Sequence, residues 1–590
     1  MSSQPTHRSN LSAFQGILRV RRLIRPDYRD LWLVVAFSVA VGVLALALPI
    51  AVQMLFNYVA FGAILQPLVV LGIVLLFVLT LAACMRTVIS FVVELLQRRV
   101  FARSVADLGE RLPRISKESF CSSPGPEVVN RFFDVLNVQK SGATLLLDGI
   151  AMVLQTVIGL VIVAFYHPFL LGFSAILLFS GCVVIFVLGR SAVRTAVDES
   201  TAKYKVAATL QEVAHNHLAF KLADAHGLSF ARADAAAKDY ILARRRHFRI
   251  VLRQIIGALF VQVVAASSLF MIGGYLVISE QLTLGQLVAA ELIVTTALSS
   301  FTKIAEKLGS LYDLMAGAYK LTSLMDMPTE RELGEAHAGG AEPASLDIRD
   351  VTFAYPDGRN ALAGISLRID PGERLAIIGG HASGKSTLVD LIDAAREPTN
   401  GRIELDGVDM RELRVGSIRR NIAVASEIDI IAGTVEQNVL LGRPGTTAAD
   451  ARAALDAVGL LEEMRALPNG LASDLSMTGA PLSTSQRARL VIARALAGRP
   501  RLLIIDDLLD MVDQNGRRKL AEWLGSGEWP CTVILLSRNN WVSSIADRTV
   551  HLSRPTPQQP ATLQPVNAQP SGAQDLGERG FGETNTEDRS

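Results

Sequence analysis

Leu375-Ala-Ile-Ile-Gly-Gly-His-Ala-Ser-Gly-Lys-Ser-Thr-Leu388 is the stretch on which the reading of this chain turns. Residues 375–378 are a short apolar run of strand type. Gly379-x-x-x-x-Gly384-Lys385-Ser386 follows, and Thr387-Leu-Val-Asp-Leu-Ile392 reads as a helix. Strand, glycine loop and helix together are the setting in which this spacing forms a P-loop. Glycine lets successive backbone N–H groups turn inward around a phosphate, and the helix start adds partial positive charge. Gly379, Gly380, His381, Ala382, Ser383, Gly384 and Thr387 are therefore expected around the phosphates. Lys385 would reach the outer phosphates, and the Ser386 hydroxyl would ligate Mg2+. His381 and Ala382 fall where only backbone N–H groups are needed, so their side chains are expected to matter less.

The surrounding chain has 590 residues, enough for about three or four domain-sized units. Hydrophobic residues make up 50%, charged ones 19%, and the mean hydropathy is +0.34. Such a composition is too apolar for an ordinary soluble protein and points to membrane spans and a lipid environment. A net charge of +2 gives no argument for a nucleic-acid partner. Cys84, Cys121, Cys182 and Cys531 show neither pairing nor metal spacing and read as reduced thiols. Met1–Ser12 is polar and no small-residue cleavage site follows the first apolar run, so the first span is expected to be retained.

Apolar runs long enough to cross a bilayer lie near 31–55, 67–93, 149–166, 168–189, 255–278 and 284–302. The tight break at Tyr166-His167-Pro168 makes 149–189 a helical hairpin. The N-terminal segment and the loops 97–148 and 190–253 are rich in Arg and Lys, whereas 56–66, 166–168 and 279–283 contain none. The positive-inside rule puts the basic segments and both termini in the cytoplasm, in a bacterial inner membrane. Residues 1–30 are a cytoplasmic segment; its basic amphipathic stretch Phe14–Asp30 either lies on the inner leaflet or is a solvated helix leading into the first span. The spans make up a domain over 31–325. A small, acidic linker occupies 326–345, an α/β domain of alternating short strands and helices runs over 346–554, and 555–590 reads as a disordered tail. The fold class is thus multi-domain: an all-α six-helix transmembrane domain followed by an α/β P-loop nucleotide-binding domain.

A second element supports the P-loop. Leu502-Leu-Ile-Ile-Asp506-Asp507 is a buried-strand run ending in two acids, and Asp506 is expected to hold Mg2+ through water beside Ser386. Between the two elements lies Leu482-Ser483-Thr484-Ser485-Gln486-Arg487, followed by Val491-Ile-Ala-Arg-Ala-Leu496. Here the chain resembles the ATP-binding cassette (ABC) family, whose signature reads Leu-Ser-Gly-Gly-Gln. Val351-Thr-Phe-Ala-Tyr355 is similar to the family's adenine-stacking strand, Gly433-Thr-Val-Glu-Gln-Asn438 to the segment after the Q-loop, and Leu282-Thr-Leu-Gly-Gln286 to the start of the last exporter span. The resemblance covers about 14–554. It implies ATP and Mg2+ as cofactors, Tyr355 on adenine, Ser483 and Gln486 as signature contacts, and Asp513 as the D-loop aspartate. In this family two cassettes sandwich two ATP molecules, each between the P-loop of one and the signature of the other. A homodimer, or a heterodimer with a second half-transporter, is therefore implied. Contacts with the cassettes are expected near Ser122–Asn137 and Gln211–Asp224.

The catalytic positions depart from that pattern. The usual glutamate is Asp507, one methylene shorter; a base misplaced by about 1 Å can cost on the order of a hundredfold. Arg538 aligns with the switch histidine and cannot shuttle a proton at neutral pH. Ser426, with Glu427 as the alternative, stands for the Q-loop glutamine. Thr484 and Ser485 add Cβ atoms where the signature has glycine. The expectation is a cassette that binds Mg2+·ATP and hydrolyses it slowly. Glu291, about two turns into the last span, is either a cation or proton contact or a group near the outer headgroups. The leading function is ATP-dependent export by alternating access, with peptide or protein favoured as substrate and type I secretion as the setting. Lipid or multidrug export is the near alternative, and a non-pumping membrane protein regulated by ATP is the other. A periplasmic adaptor is a possible partner. About thirty residues before the first span leave no room for a leader peptidase.

Overall fold

The computed structural model describes residues 13–60, 65–122, 130–337, 339–527, 529–553 and 563–565. The chain divides into two compact units, Met1–Thr329 and Glu330–Ser590.

The first unit is helical: α1 (Ala13–Ile24), α2 (Tyr28–Leu44), α3 (Ala47–Ala60), α4 (Leu65–Arg111), α5 (Asp134–Thr144), α6 (Ile150–Ala164), α7 (Pro168–Cys182), α8 (Ala192–His215), α9 (His226–Ile278) and α10 (Leu284–Met325). Six stretches among the described residues are long and apolar enough to cross a membrane: Gly16–Phe56, Gln66–Arg114, Asn130–Ala164, Pro168–His215, His226–Ile278 and Gly285–Met325. They cover the six expected spans to within two residues and extend beyond each at one end or both, so the chain is a multi-pass membrane protein. The first differs in detail, because the helix breaks at residues 45–46 between α2 and α3. In α4 none of the apolar window is buried within the chain. Such a surface requires lipid or another helix as its solvent.

Helix boundaries follow local chemistry. His167 caps α7 by accepting from the Phe169 N–H at 3.2 Å, and Pro168 at the first turn needs no acceptor for a missing N–H. α7 ends in a π-helical turn, Val183–Val187. Gln254, fully buried on α9, donates to the carbonyls of Val184 and Ile185 at 3.3 Å and to the Tyr312 hydroxyl at 2.8 Å. A polar side chain is thus spent where the wide turn leaves carbonyls short of partners. The basic N-terminal segment docks instead of lying free. Arg19 donates to the Tyr319 carbonyl and the Thr322 hydroxyl at 3.1 and 3.0 Å, and Arg22 pairs with Asp326 at 2.7 Å. Asn130 and Gln211, one from each segment expected to meet a cassette, bond each other at 2.8 and 3.1 Å. Residues 123–129 of the first segment lie outside the described residues.

The second unit opens with the residues expected to be a small, acidic linker, and an ion pair and a hydrogen bond to distant residues pin them. Arg419 holds Glu330 through both carboxylate oxygens at 2.7 and 2.8 Å, and His337 meets Asp406 at 2.8 Å. One four-stranded antiparallel sheet has the order β2 (Asn360–Ile369), β1 (Leu346–Ala354), β4 (Asn400–Leu405), β5 (Val408–Asp409). The other has six strands in the order β12 (Leu563–Pro565), β11 (Arg548–Leu552), β3 (Arg374–Ile378), β10 (Thr532–Ser537), β9 (Leu502–Asp506), β6 (Ile422–Ala425). All its pairings are parallel except β11–β12. A two-stranded ribbon, β7 (Gly433–Thr434) with β8 (Asp474–Leu475), stands apart. The strands β3, β9 and β10 are buried along almost their whole length, with the apolar runs 375–378, 502–505 and 533–536 at their centres, because helices and the second sheet cover both faces. Strand β12 falls inside the segment expected to be a disordered tail. Leu563 packs against the apolar core beside β11, so three residues of 555–590 are ordered by pairing. The rest of that segment lies outside the described residues.

Candidate nucleotide site

Parallel pairing sets the site. β3, β10, β9 and β6 run side by side with Ile378 opposite Ser537, Leu536 opposite Asp506 and Ala425 opposite Ile505. Their carboxyl ends therefore open into one crevice, where ligands of open α/β sheets bind. The P-loop leaves β3, Asp506 ends β9 with Asp507 just beyond it, Arg538 follows β10, and Ser426 follows β6.

The loop enters α11 (Lys385–Ile392) through Gly384, whose φ of +98° and a gap of 2.8 Å from an added Cβ to Leu362 Cδ2 demand glycine. At Gly379 a Cβ would stand 2.5 Å from Ser383 Oγ. Ala382 takes φ 58° without being glycine. Lys385 is buried and its Nζ donates to the carbonyls of Gly379 and Gly380 at 2.8 and 3.4 Å. Ser386 Oγ donates to Asp506 Oδ2 at 2.9 Å. Burial pushes the Asp506 carboxyl above the usual carboxylate range, with the Ser386 bond opposing that. Asp506 Oδ1, Asp507 Oδ1 and Ser383 Oγ are buried without a hydrogen-bond partner. Buried acceptors in such want, beside a serine hydroxyl, suit a divalent cation and its phosphates. The residues present fit Mg2+ at Ser386 and Asp506.

Asp507 adopts a left-handed turn, φ 52°, just past β9. Its carboxylate lies between two cations, Lys385 Nζ at 3.7 Å and Arg538 Nε at 3.8 Å. Arg538 also donates from Nη1 to His381 Nε2 at 2.7 Å. The His381 side chain, expected to be a bystander, is thus engaged: a loop position that needs only its N–H still projects a side chain, and a guanidinium takes it. Asp510 was not singled out from the sequence. It accepts from Ser537 Oγ and Asn539 Nδ2, both at 2.8 Å. Burial raises its carboxyl, but these bonds outweigh it and the net direction is downward. The Tyr355 hydroxyl meets Thr387 Oγ1 at 2.9 Å, which sets the ring beside the phosphate-loop helix. Arg359 and Arg396 stand 5.4 and 5.1 Å from that ring, so a base stacked there would share it with cations.

A second cluster gathers at the start of α12 (Thr484–Ala497). Ser483 is its N-cap: Ser483 Oγ accepts from the Gln486 N–H at 3.2 Å, and Gln486 Oε1 accepts from the Ser483 N–H at 2.8 Å. Gln486 Nε2 donates to Glu463 at 2.7 Å, and Glu463 also pairs with buried Arg489 at 2.8 Å. Ser485 Oγ donates to Asp513 Oδ1 at 2.5 Å and accepts from the Asp513 N–H at 3.0 Å. That bond, first among the causes, holds the Asp513 carboxyl below its usual range. The hydroxyls of the two residues that add Cβ atoms to the signature are both engaged: Ser485 with Asp513, and Thr484 Oγ1 with Arg487 at 3.1 Å. Among the described residues no hydrogen bond or ion pair joins this cluster to the P-loop cluster. Glu463 left no signal in the sequence.

Residues 362–509 match the family described as "ABC transporter". A multidrug efflux ATP-binding/permease protein of Mycobacterium tuberculosis is 31% identical over 286 residues, which are 48% of this chain and 24% of that protein. The ATP-dependent lipid A-core flippase of Chromobacterium violaceum is 34% identical over 40% of this chain and 41% of its own length. That of Pseudoalteromonas atlantica is 26% identical over 68% of each. The chain thus spans a quarter to a half of the length of the first curated relatives it matches. A bacterial Atm1-family ABC exporter solved with ATP bound shares the fold, with a TM-score of 0.79 and 20% identity over 89% of this chain and 94% of that one.

Proposed function

We propose, from the premise that residues 362–509 belong to the ABC transporter family, that the chain is one half of an ATP-driven exporter. One observation carries this reading: six spans share a polypeptide with a cassette in which Lys385, Ser386, Asp506 and Asp507 meet at the strand ends. Lys385 Nζ would turn from its loop carbonyls to the outer phosphates. Tyr355 would face the base. Ser386 and Asp506 would hold Mg2+, which neutralises charge on the phosphoryl group being transferred. Asp507 would take the proton of the attacking water, and Ser426, at the level of Asp506, would sense the phosphate end. Lys385 and Arg538 compete for the carboxylate that water needs, and the shorter side chain reaches less far, so hydrolysis is slow. Ser483, Gln486 and Asp513 form a separate cluster, which supports completion of each site by a second cassette, in a homodimer or a heterodimer. By the charge of its loops the cassette faces the cytoplasm.

The similarity to a multidrug efflux protein and to lipid A-core flippases favours lipid or drug as substrate over the peptide or protein expected from the sequence. An amphipathic lipid or drug is accordingly the proposed cargo. The test is ATP-dependent movement of a labelled lipid, a cationic dye and a labelled peptide in proteoliposomes. Lipid or dye should move with the intact chain and stop in Lys385→Ala. Movement of the peptide alone would restore the secretion reading, and movement of none would overturn export.

A further inference from the structure

One group in the crevice has no part in the scheme above. His381 occupies a loop position that needs only its backbone N–H, yet its ring meets Arg538 Nη1 at 2.7 Å. Guanidinium has no acceptor atom, so Nε2 must accept and the proton of the neutral ring sits on Nδ1. Arg538 has carboxylates on its other side, with Nε 3.8 Å from Asp507 Oδ2 and 3.9 Å from Asp510 Oδ2. Its backbone N–H points to Asp510 as well, at 3.4 Å. Lys385 Nζ approaches the same Asp507 carboxylate at 3.7 Å. The permanent charge of Arg538 thus stands one carboxylate away from the lysine that reaches the outer phosphates.

We propose that His381 is a positioning residue: it draws the Arg538 guanidinium over the phosphate loop, against the pull of Asp507 and Asp510, so that the cassette prefers a nucleoside triphosphate to a diphosphate. Without the imidazole, Arg538 keeps only its carboxylate partners and withdraws toward the ends of β9 and β10. The loss falls on the third phosphate, because the inner phosphates rest on the loop backbone, which the substitution leaves in place. This inference rests on the ATP-cassette reading and adds a discriminating device to it.

The test is equilibrium binding of ATP and of ADP, each with Mg2+, to the detergent-purified full chain and its variants. His381→Ala should weaken ATP about tenfold, the scale of one charge-assisted bond, and leave ADP within about twofold. His381→Gln, whose Oε1 can also accept from a guanidinium, should restore most of the ATP affinity. Arg538→Ala should match His381→Ala, and the double variant should lose no more than either single one. Equal losses for ATP and ADP, additive losses, or no rescue by glutamine would each overturn the role of His381 while leaving the cassette intact. A wild-type chain that binds neither nucleotide would instead overturn the cassette reading beneath it.

Discussion

Asp506 shows how one residue's place in the sequence can point to its chemistry. An acid at the end of an apolar strand is costly unless a cation answers it, and the structure leaves Oδ1 without a partner. Asp506→Asn should raise the Mg2+ concentration for half-maximal ATP binding by about tenfold or more, as loss of a metal-orienting carboxylate does; titration of Mg2+ against bound fluorescent ATP measures it. Asp393 lends itself to a pH prediction. Its carboxyl is pushed up to about 6, first by burial, with Arg419 opposing at 3.3 Å. A raised acid favours the fold below its unfolded value, near about 4, and loses that contribution as pH climbs through about 6. The thermal transition of the cassette should therefore fall between pH 4.5 and 7 more steeply in wild type than in Asp393→Asn. The difference is on the order of 2–3 kcal/mol at most. A parallel pH dependence in the two proteins would refute it. Identity and place were legible for Lys385, Ser386, Asp506 and Asp507, since each follows an apolar strand or a fixed spacing. His381 with Arg538, Ser485 with Asp513, and Gln486 with Glu463 were not, because each pair joins segments remote in sequence with no pattern between them.

Elements carry their own boundary marks. Thr283 with Gln286, Thr434 with Gln437, Thr447 with Asp450 and Ser483 with Gln486 are reciprocal capping boxes. The resemblance singled out three of these stretches as family motifs. The structure adds a local reason for their serine or threonine: each satisfies N–H groups that a helix start leaves bare. Thr434→Ala should cost the cassette about 1 kcal/mol, and Thr434→Ser much less; their chemical-unfolding midpoints would compare them. The basic N-terminal helix was undecided between leaflet and solvent because hydrophobic periodicity does not name a partner. Arg19 and Arg22 choose α10. Arg19→Ala with Arg22→Ala should expose α1 to protease at least about tenfold faster. Unchanged cleavage would mean that apolar packing alone, such as Gly16 on Met315, holds it.

At the scale of the molecule, six spans and a cassette were plain from hydropathy and from one glycine loop, because bilayer thickness and phosphate geometry admit few solutions. The pinning of the linker and the strand at 563–565 were not, since both depend on ion pairs or edge pairing with distant residues. What the whole molecule does rests on the state of its hydrolytic residues. The measurement that tests this most directly is ATP binding and ATP turnover by the purified chain in lipid, for wild type and for Asp507→Glu with Arg538→His. The account predicts firm Mg2+·ATP binding with slow turnover in the wild type, and turnover raised about tenfold or more by restoring the longer base and the imidazole. Fast turnover by the unaltered chain, or no ATP retained while Lys385 is in place, would contradict it.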